Sequence, residues 1–402
     1  MISIVSISII IPMEKNNKTK TSTKEILSIL DLFLIWRIIL QIIAFLSKNR
    51  LSLNPDTGYG NIEPWEAPLT NFFKYFIRWD SGFYLQIAEN GYYLDQANNL
   101  SNTPFFPLYP LLINLLGNIF GNLYAGLIIS FISTFFACFY LYKLARTHLK
   151  KKASFRAAFY LLIFPTAIFL SAIYTESLFM ALSIASVYYA RRNKWWASGI
   201  LGFFATLTRP QGILLFPVLI FEYFEQNKFN IKKLRFNAFW TLLIPSGLFV
   251  YMYFLKLKFG SFFLFISAQN SWGRSTSFSA KSIYDTFSNY FYDLFFPGTE
   301  SFTYYLVKDL DLFFFLFFLV LSIIIFIKFR MSYGFYMILS LMIPLMTSSL
   351  MSINRFALLL FPTYIYLAKI SKNQVVQYSI ILIFSSLFVM YTILFTNWYW
   401  TG

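Results

Sequence analysis

Apolar blocks long enough to cross a bilayer alternate with short polar stretches along almost the whole chain. A helical span needs roughly 20 such residues. The blocks fall at about residues 27–46, 123–142, 154–171, 174–190, 195–208, 211–225, 238–256, 311–328, 333–350, 355–370 and 375–395. This pattern predicts an all-α polytopic membrane protein with about 11 transmembrane helices. No repeat recurs at a fixed period, and no block reads as a separate soluble domain. Composition agrees: 58% of the 402 residues are hydrophobic and only 12% are charged, which excludes an ordinary soluble domain.

The formal net charge of +16 would suggest nucleic acid, but the placement of the charges argues against it. Lys and Arg cluster between apolar blocks, in KLARTHLKKKASFR (143–156), RRNK (191–194) and KFNIKKLR (228–235). That is the positive-inside signature, which sets topology. The stretch 47–104 has the opposite balance, six acids against four bases, and reads as extracytoplasmic. TPFFPLYPLLINLLGNIFG (103–121) holds about a dozen helical residues between prolines and glycines. Counting it as an interfacial helix, not a span, keeps the basic loop 143–156 inside. The resulting organisation is a cytoplasmic segment 1–26, one transmembrane domain over 27–395 and an extracytoplasmic tail 396–402. Its outer loops run over about 47–122 and 257–310. Residues 2–12 are apolar but too short to span, no basic residue precedes them, and Met13 reads as the true start. Abundant Asn, Lys, Ile and Phe, with no retrieval signal at the tail, point to a prokaryotic plasma membrane before an endoplasmic reticulum.

Candidate chemistry concentrates in RWDSGFYLQIAENGY (78–92). Asp80, beside Arg78 and Trp79, reads either as a helix N-cap or as a base that takes a proton from a sugar hydroxyl. Glu176 is the one acid between Gln96 and Phe221. It suits a helix N-terminus capped by Thr175, or a polar group facing Asp80. Arg209, Arg274 and Arg355 fall on the outer side, against the positive-inside bias, and arginine forks suit a lipid phosphate. Snorkelling to headgroups is the plainer reading of each. Asp31 and Arg37 lie inside the first span and read as partners of a neighbouring helix. Asp309-Leu310-Asp311 spells D-x-D, but at a span entrance, where Asp also caps. With one His (His148, in a basic loop and read as solvated) and one Cys (Cys138), the chain argues against a zinc site and an intrachain disulfide.

RWDSGFYLQIAENGY followed by TPFFPLYPLL resembles the signature of the GPI mannosyltransferase II family, the PIG-V-like enzymes and their prokaryotic relatives. FPTAIFLSAIYTESLF (164–179), LTRPQGILLFPVL (207–219) and SINRFALLLFPTYIYLA (352–368) are similar to further family segments, in family order. Ile173 departs from the small residue or proline expected before Y-T-E-S. The resemblance implies a GT-C-type glycosyltransferase with interfacial helices in its first outer loop. It also implies a dolichyl- or undecaprenyl-phosphate mannose donor, with Asp80 as the catalytic base.

The expected reaction is inverting transfer of mannose, or another hexose, from a polyprenyl-phosphate donor to a hydroxyl acceptor outside the cytoplasm. Arg209 and Arg355, with Arg274, would bind the donor phosphate. Arg78, Trp79, Tyr84, Tyr174 and Glu176 would bind sugar or acceptor. Because arginines balance the phosphate, no metal or other cofactor is required. The partners implied are the lipid donor, a glycolipid or glycan acceptor and the bilayer, with no nucleic acid. The alternative is a lipid or sugar transporter lined by Asp31, Arg37 and the outer arginines.

Overall fold

The structure is a computed structural model and describes residues 22–48, 73–95, 100–230, 232, 235–272, 274 and 279–402. The expectations for residues 1–21 and for positions 49–72 of the first outer loop lie outside the described residues. In chain order the helices are α1 (Thr23–Lys48), α2 (Ser81–Asn90), α3 (Leu108–Phe120), α4 (Asn122–Ala145), α5 (Lys151–Leu162), α6 (Glu176–Arg191), α7 (Trp195–Thr208) and α8 (Leu215–Gln226). There follow α9 (Leu243–Phe259), α10 (Leu264–Ser267), α11 (Ala280–Phe295), α12 (Phe302–Lys328), α13 (Met331–Leu345), α14 (Ile353–Leu358), α15 (Pro362–Ile370) and α16 (Gln374–Thr396). Two residues of antiparallel ribbon, Leu94–Asp95 against Leu100–Ser101, join α2 to α3.

Among the described residues, five stretches are apolar and long enough to cross a bilayer: α1, α4, Phe236–Phe259 (which contains α9), α12 and α16. The other expected spans are short or broken helices, so the count of eleven is not reproduced by long helices. Proline is one reason, because it lacks the N–H that would continue a helix. Pro165 follows α5, Pro344 sits in the last turn of α13 and Pro362 opens α15. Pro210 opens a 3-10 turn after Arg209, whose φ of −152° and ψ of 149° are extended. In the other direction, α12 begins nine residues ahead of the expected position. The Ser301 hydroxyl caps Tyr304 N–H, and the charges at 308–311 ride on the helix instead of preceding it. The expected outer loop 257–310 also contains α11, capped by Ser279.

Irregular backbone away from water must be satisfied inside the protein. Residues 163–175, between α5 and α6, meet this through side chains of α4. Thr134 donates to Leu170 O at 2.6 Å, and Ser130 to Ala172 O at 2.7 Å. Ile173 N–H donates to Phe76 O at 3.1 Å, tying this segment to the turn ahead of α2. Missing side chains do the rest. Cβ atoms at Gly199 and Gly202 of α7 would fall 2.0 Å from Trp240 O and 2.6 Å from Ile244. The backbones touch there, as small residues allow between membrane helices.

The 13 residues of α3 reach only about 20 Å, too short to cross. Leu111, Leu115 and Ile119 stand exposed along one side of it, while Asn114 hydrogen-bonds Ala88 O of α2 at 2.7 Å. On α1, Asp31 is exposed. The guanidinium of Arg37 lies 4.0 Å over the Phe76 ring, so it docks α1 onto the turn that leads to Asp80.

Candidate active site

The breaks between helices meet at one place. Asp80 occupies the N-cap position of α2, but its side chain makes no capping hydrogen bond. Its Oδ2 instead lies 2.9 Å from Arg355 Nη1 on α14, so the capping alternative does not describe the carboxylate. The preceding residue, Trp79, has a positive φ of 50°, a conformation that non-glycine residues rarely adopt and that persists only when the surroundings enforce it. Tyr174 supplies that enforcement. Its hydroxyl accepts from Asp80 N–H and donates to Arg78 O, both at 3.1 Å. The Trp79 ring meets Trp398 and Trp400 edge-on, at 5.7 and 5.2 Å.

Glu176 begins α6 and is completely buried. One of its oxygens, Oε1, receives Arg209 Nη1 at 2.6 Å, Arg355 Nε at 3.0 Å and Arg355 Nη2 at 2.8 Å. The other, Oε2, has no hydrogen-bond partner among the described residues. Thr175 does not cap the helix. Its hydroxyl accepts from Arg209 Nη1 at 3.0 Å and lies 3.3 Å from the Tyr84 hydroxyl. Arg209 Nε donates to Gln211 Oε1 at 3.3 Å. Arg355 also donates to Gly402 O at 3.1 Å, and its guanidinium lies over the rings of Phe169 and Tyr174 at 4.9 and 4.8 Å.

The fold therefore gathers Asp80, Tyr84, Tyr174, Glu176, Arg209 and Arg355 into one cluster. Arg274 reaches it from the loop after α10, with Nη2 3.3 Å from Ser352 Oγ, two residues ahead of Asn354 and its neighbour Arg355. Burial, then the adjacent positive Arg355, lowers the Arg274 pKa from the ordinary arginine value. Arg78 is 1% exposed and donates to the carbonyls of Lys74, Ile77 and Thr396, which clamps the turn to α16. Of the D-x-D pair, Asp311 is buried in α12, with backbone N–H groups of Ser352 and Asn354 facing its carboxyl group. The sequence suggested only a helix cap for Thr175 and no role for Gln211. Their only signal there is membership of the same short motifs, YTES and TRPQG.

A second ionic cluster, also absent from the sequence reading, forms at the far ends of α6 and α8. Glu222, 1% exposed, accepts from Arg330 Nε and Nη2 at 2.8 and 2.7 Å and from Arg191 Nη1 at 3.2 Å. His148 lies beside it, half-buried rather than solvated, with Nε2 3.0 Å from the Tyr333 hydroxyl. Burial first, then Arg191 and Arg330, pushes the His148 pKa well down.

Among solved structures, the fold is similar to ArnT from Cupriavidus metallidurans, determined bound to undecaprenyl phosphate. The TM-score is 0.50 at 13% identity, over 84% of this chain and 59% of that one. The class is thus a mainly helical, multi-pass membrane protein with the fold of ArnT. Residues 23–396 match the model of the mannosyltransferase (PIG-V) family, and the chain belongs to that family. The GPI alpha-1,6-mannosyltransferase 2 of Cricetulus griseus is 31% identical over 146 residues, which cover 34% of this chain and 29% of that protein. The chain thus aligns with less than a third of that curated relative.

Proposed function

We propose that the protein transfers mannose, or another hexose, from a polyprenyl-phosphate donor to a hydroxyl of a glycolipid or glycan, on the extracytoplasmic side and with inversion. Asp80 is the base. The acceptor oxygen gives its proton to the Asp80 carboxylate and bonds to the anomeric carbon. The bond from that carbon to the phosphate oxygen breaks, and polyprenyl phosphate leaves with the electron pair. A phosphate is a weak base, so a second carboxyl group to protonate it is unnecessary, unlike in inverting hydrolysis. Arg355 and Arg209, with Arg274, stabilise the charge the phosphate gains. A phosphate entering the cluster draws Arg355 from Asp80 and frees the base.

One observation carries the assignment of roles. The Asp80 side chain is 20% exposed, against 8% for Arg355, 10% for Arg209 and 0% for Glu176. Of the cluster's two carboxylates, Asp80 is therefore the one an acceptor can reach. The lipid bound to ArnT, undecaprenyl phosphate, supports a polyprenyl-phosphate donor here.

The test is Asp80→Asn in purified protein, assayed with a polyprenyl-phosphate mannose donor. Loss of a general base costs about 10²–10⁴-fold in turnover, and insertion into the membrane should be unchanged. Turnover within a few-fold of wild type would remove Asp80 as the base.

A further inference from the structure

We infer that Glu176 selects the donor by charge, cancelling one of three site arginines so that the site accepts a phosphodiester bearing a single negative charge over a diphosphate bearing two. The inference rests on the donor assignment above. The expectation that Glu176 binds sugar or acceptor is hard to reconcile with its surroundings. The residue is 0% exposed, and every polar contact of its Oε1 is to Arg209 or Arg355.

Two guanidiniums repel each other in a poorly hydrated site, and here they converge on one oxygen. Arg209 approaches it from the turn before α8 at 2.6 Å, and Arg355 from α14 at 2.8 and 3.0 Å. That oxygen offsets the repulsion and sets the separation of the two forks. With Arg274 behind Ser352, three guanidiniums face the two carboxylates of Asp80 and Glu176, one positive charge in excess among the described residues, where Asp311, turned to the N–H groups of Ser352 and Asn354, makes no ion pair with any of the three. Arg78 is left out of this sum because its guanidinium donates to the carbonyls of Lys74, Ile77 and Thr396. A phosphodiester neutralises the excess. A diphosphate overshoots it by one charge, in surroundings where Coulomb energies are several times those in water. Glu176 Oε2 is buried and accepts nothing among the described residues, so the carboxylate supplies charge to the arginines without using its full hydrogen-bonding capacity.

The experiment compares two mannosyl prenyl lipids of identical short chain, one linked by a phosphodiester and one by a diphosphate. Their binding to the purified full chain is read from intrinsic fluorescence, so turnover is not needed. Glu176→Gln keeps an oxygen for the guanidiniums but removes the charge. It should shift the affinity ratio of the two lipids about tenfold or more toward the diphosphate, as expected for one unit charge a few ångströms away. Glu176→Asp keeps the charge with a shorter reach. It should weaken both lipids and leave their ratio near wild type. If Glu176→Gln does not fold, Glu176→Gln with Arg209→Gln restores the charge balance and should restore the preference for the phosphodiester. An unchanged ratio in Glu176→Gln, or a diphosphate preference in the double variant, would overturn the inference. Wild-type protein that binds neither lipid would overturn the donor assignment, and this inference with it.

Discussion

Among the described side chains, Tyr174 holds the geometry of Asp80, the proposed base, most directly. Its hydroxyl bridges Arg78 O and Asp80 N–H across the positive-φ residue Trp79, and it is fully buried. Tyr174→Phe leaves that carbonyl and that amide without a partner, at a cost of about 1–3 kcal/mol. Because the strained turn is what aims Asp80, the cost should fall on turnover, about 10–100-fold. Measured kcat within twofold of wild type, at equal protein yield, would show that the turn holds without the hydroxyl. Residue identities here were legible in the sequence: Asp80, Tyr174, Glu176, Arg209 and Arg355 all stand in the motifs that carry the family resemblance. Their partners were not legible. Asp80 and Arg355 are 275 residues apart, and no local pattern says which arginine a given carboxylate meets.

At the scale of elements, the site exists because helices stop. Asp80 precedes α2, Glu176 starts α6, Arg209 follows α7, and Arg355 lies in α14, a helix of six residues. The prolines that end these helices were plain in the chain, yet hydropathy read straight through them, because a broken apolar segment inside a bundle is as apolar as an intact one. Close helix contacts keep the broken pieces in register. Gly199→Ala would set a methyl group 2.0 Å from Trp240 O, a backbone atom that cannot rotate aside. Overpacking of this kind costs about 1–3 kcal/mol. A thermal unfolding midpoint in detergent that equals wild type would mean that α7 and the 3-10 run before α9 can separate freely.

For the whole molecule, two buried ionic clusters among the described residues lie at opposite ends of α6, sixteen residues and about 24 Å along the helix. One holds Asp80 with its arginines; the other holds Glu222 with Arg191 and Arg330. The positive-inside pattern predicts that the first faces out and the second faces in. Single cysteines at Ser288 on α11 and at Asn193 between α6 and α7 test this in a variant lacking Cys138. An impermeant thiol reagent on intact cells should label position 288 at once and position 193 only after permeabilisation. Labels in the reverse order would place the base in the cytoplasm and end the donor scheme.

The order of residues alone determined that the chain is helical, membrane-embedded and a relative of the PIG-V enzymes. Hydropathy, charge placement and short motifs are local properties, and each is written within a few turns of chain. The number of long helices, the diversion of Arg78 to backbone carbonyls, the burial of Glu176 and the pairing of Arg355 with Asp80 were decided only in three dimensions. Each depends on which distant segments exclude water together, and a buried charge must find its counter-charge wherever the packing brings one.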